Sequence, residues 1–140
     1  MDKDNKKPKP NLDLIKAACE WWGDVIIDAK QDNGDSLQSF MKTSFASMTP
    51  PVTKEMRDTF VSNLYIAILE DWDQRYRSYS GGYEIHNDYG VDQILRKAVG
   101  DMSINDLKFP MKTDMIIGID SVRVSYGYRA PWEVIAGKGI

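Results

Sequence analysis

Two residue types that build most catalytic and metal sites are nearly missing from this chain, which has one cysteine, Cys19, and one histidine, His86. A single cysteine excludes an internal disulfide and fits a reducing compartment, so a cytoplasmic location is expected. A single histidine makes any Ser-His-Asp triad or His-bearing metal site depend on His86 alone. Long apolar runs are missing as well: the longest covers residues 64–69, whereas a bilayer crossing takes about 20 residues. Positive charge is not in excess either. The net charge of −3 argues against a strongly basic nucleic-acid binder and leaves room only for a local basic patch. The opening MDKDNKKPKP is charged and has no apolar stretch, so no secretory leader is expected. Phosphate-cradling glycine loops, H-E-x-x-H helices, C-x-x-C pairs and G-x-S-x-G elbows do not occur, and no cofactor is expected.

What remains is an ordinary globular composition, 42% hydrophobic and 28% charged over 140 residues, enough for one domain with a sizeable core. Residues 1–10 carry no hydrophobe after Met1 and read as a disordered, mildly basic tail. Residues 11–136 read as a single α+β domain and 137–140 as a frayed end. Within the domain three N-terminal helices are expected. The first starts at Asn11, a good N-cap, and places Leu12, Ile15, Cys19, Trp22, Val25, Ile26 and Ala29 on one face, ending near Asn33-Gly34. The second, over residues 36–48, stops before Pro50-Pro51. The third, over residues 53–77, is the long central one, with Thr53 as its cap or the Pro50-Pro51 pair as its first turn. Its apolar residues, from Phe60 and Leu64 to Trp72 and Tyr76, fill an arc of roughly 200°, broad enough to be covered on two sides.

Ser80-Gly81-Gly82 ends the helical half. A strand over 83–87, a short helix over 91–99 and a hairpin of strands 114–119 and 122–128 follow, with an edge strand over 132–136. If Asp120-Ser121 forms the turn, Ile119 faces Val122, Ile117 faces Val124 and Met115 faces Tyr126, all on one side of the sheet. The expected fold is therefore α+β, the long central helix packed against a small antiparallel sheet of strand, helix and hairpin from the C-terminal half.

Three groups carry candidate chemistry. On a strand, Glu84, His86 and Asp88 share one side, where carboxylate–imidazole–carboxylate can hold a divalent metal or move protons; the same alternation also describes the solvent side of any edge strand. The first helix opposes its apolar face with Asp13, Glu20, Asp24 and Asp28, either a solvated face or a docking strip for a basic partner. Arginine interleaved with aromatics marks the end of the helical half and the last strands. Taking Tyr76 and Tyr126 as core leaves Arg77, Tyr79, Tyr128, Arg129 and Trp132 as an exposed patch, of the kind that dominates protein interfaces and also stacks on bases. Cys19, on the apolar face, reads as a buried inert thiol.

The stretches DYGVDQIL at 88–95, FPMKTDMII at 109–117 and VRVSYGYRAPWEVI at 122–135 resemble small uncharacterised proteins of phages and mobile elements. The resemblance spans residues 83–136 and brings no activity, cofactor or site residue with it. It implies a cytosolic protein that binds and blocks a host protein, a nuclease or other defence effector, in the manner of an anti-CRISPR inhibitor. The expected function is a non-enzymatic binding module working through protein–protein contacts. A nucleic-acid accessory role, with Arg75, Arg77, Arg123 and Arg129 tracking phosphates, is one alternative; a metal-dependent hydrolase at Glu84, His86 and Asp88 is the other.

Overall fold

The computed structural model describes residues 8–27 and 51–138. Helix α1 (Leu12–Ile27) opens at Asn11, whose side-chain Oδ1 accepts from the Asp13 and Leu14 amides. Helix α2 (Lys54–Arg75) is capped by Thr53, whose Oγ1 accepts from Met56 N–H at 3.1 Å. The expected second helix, residues 36–48, lies outside the described residues, as does Asp28.

The α+β class holds. Among the described residues two helices, α1 and α2, precede the sheet where three were expected, and the short helix expected over 91–99 is α3 (Gln93–Val99), which follows two strands. The sheet has five strands, β1 (Tyr76–Arg77), β2 (Gly82–Asn87), β3 (Thr113–Ile117), β4 (Ser121–Ser125) and β5 (Trp132–Gly137), antiparallel and in sequential order. β1 uses residues expected to end the central helix. Tyr76 leaves helical geometry at φ −61°, ψ 133° while its N–H still closes on the Trp72 carbonyl. Gly81, at φ 78°, then supplies the left-handed turn that brings β2 back alongside.

The hairpin register also departs from expectation. Met115 faces Val124 and Ile117 faces Val122, a slip of two residues. Gly118 N–H donates to Ser121 O at 2.8 Å, so Ile119 and Asp120 form the tip and Ile119 is 42% exposed. A slip of two keeps each side chain on its own face, which is why Met115, Ile117, Val122 and Val124 are all buried.

That inner face carries the core. Trp22 Nε1–H donates to Met115 Sδ at 3.2 Å, and Trp72 stacks on Tyr83 with centroids 5.9 Å apart. Helix α2 lies between α1 and α3, burying Phe60, Leu64, Ala67, Ile68 and Trp72, while Ile66 is 54% exposed. Gly23 permits the close approach of α1: a Cβ there would meet Val61 Cγ2 at 2.5 Å. The first residues described are held too, since Trp72 Nε1–H donates to Pro8 O at 2.8 Å. At the other end Gly137 pairs with Ser121, and Lys138 N–H donates to Asp120 O. The expected tail and frayed end are thus anchored at their inner residues.

Candidate functional site

Alternation along the strands sends a second set of side chains to the face opposite the helices. Register lines up His86, Asp114, Ser125 and Trp132 as one cross-strand row, and Glu84, Ile116, Arg123 and Val134 as the next. Helices α1 and α2 pack on the other face; within these rows His86 and Trp132 are exposed, while Ile116 and Ser125 are buried.

His86 is the centre of the first row. Its Nδ1 is 2.8 Å from Asp114 Oδ1 and its Nε2 2.9 Å from Glu84 Oε1. A neutral imidazole owns one N–H, so only the imidazolium donates to both carboxylates. Partial burial pulls its pKa down, but the bonds to Glu84 and Asp114 outweigh this and hold it above the ordinary histidine value. Glu84 responds in the opposite sense. Burial pushes its carboxyl up, while the Ser80 hydroxyl, His86 and the Arg77 charge bring it below the usual range.

The expected trio of Glu84, His86 and Asp88 is not assembled. β2 ends at Asn87, and Asp88 turns away to hold Lys112 Nζ at 2.8 Å; Asp114 from the neighbouring strand takes its place. Among the described residues no group of three or more His, Cys, Asp or Glu is arranged to hold a metal ion.

Two cavities open on either side of His86. One, of about 440 Å³, is bounded by Arg75, Arg77, Glu84, Val91, Asp92 and Gln93. The other, of about 450 Å³, lies where β2 ends, β3 begins and β4 ends, with Asp88, Lys112, Asp114, Ser125, Tyr128 and Arg129 around it. In the second, Lys112 Nζ stands 3.6 Å over the Tyr89 ring and 5.8 Å from the Tyr128 ring, and the Arg129 guanidinium is 5.1 Å from Tyr128.

The exposed patch read from the sequence divides in two. Tyr128, Arg129 and Trp132 share one corner, with Tyr128 67% and Trp132 48% exposed. Arg77 lies on β1, at the other edge, and Tyr79 in the turn after it. Four strand spacings, roughly 19 Å, separate the two edges. One carboxylate of the α1 acidic strip is ion-paired within the fold: Asp24, still 70% exposed, binds Arg57 Nη2 at 2.7 Å. Cys19 is fully buried, and burial together with the Glu20 charge pushes its thiol up to about 12, so it stays protonated.

Lys112, Asp114 and Tyr89 were not singled out from the sequence. Asp114 meets His86 only through the β2–β3 register, which no local pattern encodes. Tyr89, in the Asn87-Asp88-Tyr89-Gly90 turn, is 83% exposed, and an aromatic within such a turn was the available signal. No protein-family model and no curated protein matches the chain. No described helix is long and apolar enough to cross a membrane.

Proposed function

We propose that this protein is a non-enzymatic binding module that works by occupying the surface of a partner protein. The observation that carries the reading is the corner formed by Tyr89, Tyr128, Arg129 and Trp132, exposed aromatics with cations beside them at one end of the sheet. Such residues combine large contact area with directional polar ends, the chemistry of interface hot spots. The likeness of residues 83–136 to mobile-element proteins supplies the class of partner, a host defence protein or nuclease blocked by an anti-CRISPR-like inhibitor in the cytoplasm.

Replacing Arg129 and Trp132 together by Ala tests it. Affinity capture from the native host is expected to lose the partner, while stability changes by only about 0.5 kcal/mol per surface site. Undiminished capture by the double variant would remove this corner as the interface. The nucleic-acid alternative has less support. Of its four arginines, Arg75 is ion-paired to Asp71 and Asp92 and Arg123 donates to the Ser80 carbonyl.

A further inference from the structure

The cavity between the ends of β2 and β4 shares Tyr128 and Arg129 with the partner corner, and its charge arrangement suits a small ligand as well. Its carboxylates are already satisfied: Asp88 by Lys112 and Asp114 by His86. Arg129 is different. Among the described residues its guanidinium has no ion pair, only the Tyr128 ring 5.1 Å away.

Backbone geometry singles out the same place. Lys112 at φ 53° and Arg129 at φ 56° are the non-glycine residues with positive φ among those described, and both border this cavity. For an L-residue that region costs roughly 1–2 kcal/mol, and such residues gather at ligand sites, where the surrounding structure holds them. Here the holding contacts are visible. Gly127 N–H donates to Thr113 Oγ1 at 3.2 Å, Ser125 Oγ donates to Ala130 O at 2.7 Å, and Lys112 N–H reaches Asp88 O at 3.4 Å. The loop carrying Arg129 is thereby tied to the sheet on both sides of that residue.

We propose that this cavity is a binding site for a small organic oxyanion, a phosphate ester or a carboxylate, gripped by the Arg129 guanidinium with its organic body against Tyr128. A guanidinium presents paired N–H donors that match either anion in a two-point grip. The volume of about 450 Å³ lies within the roughly 300–1,000 Å³ range of small-molecule pockets and exceeds what a bare ion fills. Lys112, whose ammonium keeps donors beyond the one given to Asp88, stands across the same opening as a second cation. The inference rests on the cavity alone and needs no macromolecular partner.

Titration of the whole chain with phenyl phosphate, benzoate and the neutral benzyl alcohol, followed by NMR of backbone amides and the Arg129 Nε–H, tests it. Saturable shifts at Gly127, Arg129 and Lys112 are expected with the anions and not with the alcohol. The anion that saturates at lower concentration identifies the headgroup. Arg129→Gln is expected to weaken binding at least about tenfold, equivalent to about 1.4 kcal/mol, with amide dispersion unchanged. Arg77→Gln, at the far edge of the sheet, is expected to bind like the wild type. Absence of saturable shifts, equal response to the alcohol, wild-type affinity in Arg129→Gln or equal loss in Arg77→Gln would each overturn the site.

Discussion

His86 shows how one residue couples charge to fold. Its two ring nitrogens face carboxylates on two strands, so protonation fastens β2 to β3 and loss of the proton leaves a lone pair facing an anion. The direction of the pH effect follows. With its folded pKa raised, His86 contributes its full stabilisation below the unfolded value of about 6.5 and loses it as pH rises through the folded pKa. Glu84, with its pKa lowered, contributes above its unfolded value and loses this only as pH falls through the folded one, at more acid pH. Comparing wild type with His86→Gln by urea unfolding isolates the effect. The wild-type advantage is expected to be larger at about pH 5.5 than at about pH 8.5. Because the side chain is 52% exposed, solvent screening limits the difference to about 0.5 kcal/mol. An advantage that is flat or grows toward alkaline pH would mean the imidazole is not the proton donor to both carboxylates.

At the scale of elements, a few side chains fix how helices and strands meet. Asp92 joins three of them: its carboxylate accepts from Ile94 N–H as the N-cap of α3, from His86 N–H on β2, and from Arg75 at the end of α2, with Arg75 Nη1 at 2.8 Å. Removing it leaves Arg75 partly buried without its main partner and uncaps α3. Asp92→Ala is expected to cost about 3 kcal/mol in chemical denaturation; a loss under about 1 kcal/mol would show that Asp71 and water replace it. Gly23 sets the α1–α2 spacing by a different route. A helix interior ordinarily prefers Ala to Gly by about 1 kcal/mol. Here the added methyl meets Val61 Cγ2 at 2.5 Å and Arg57 Nε at 2.9 Å, and Arg57 is also the anchor of Asp24. Overpacking costs about 1–3 kcal/mol, so Gly23→Ala is expected to lower the urea midpoint. A raised midpoint would show that the helices separate freely at that point.

Across the whole molecule, what was legible in the sequence was whatever depends on neighbouring residues. The α2 arc, the Thr53 cap and the inside–outside alternation of the strands follow from short-range spacing. The two-residue slip of the hairpin, the conversion of Tyr76 and Arg77 into a strand and the meeting of Asp114 with His86 depend on turn geometry or on pairing between distant segments, so local pattern left them open. The site suffered most, because it is built where the ends of β2, β3 and β4 converge. Trp72 is the residue in which local signal and distant pairing coincide. Its ring stacks on Tyr83 of β2, packs 5.4 Å from Tyr76 at the start of β1, and donates its N–H to Pro8 at the first described residue. It is 3% exposed, so truncation removes an aromatic core contact and strands the Pro8 carbonyl together. Trp72→Ala is expected to cost about 3–5 kcal/mol, a large share of the roughly 5–15 kcal/mol that holds a domain of this size. Denaturant unfolding followed by circular dichroism should show the loss as an earlier midpoint of one cooperative transition, since helix, sheet and N-terminal segment share this side chain. A separate early transition would mean that the helices and the sheet fold as independent units.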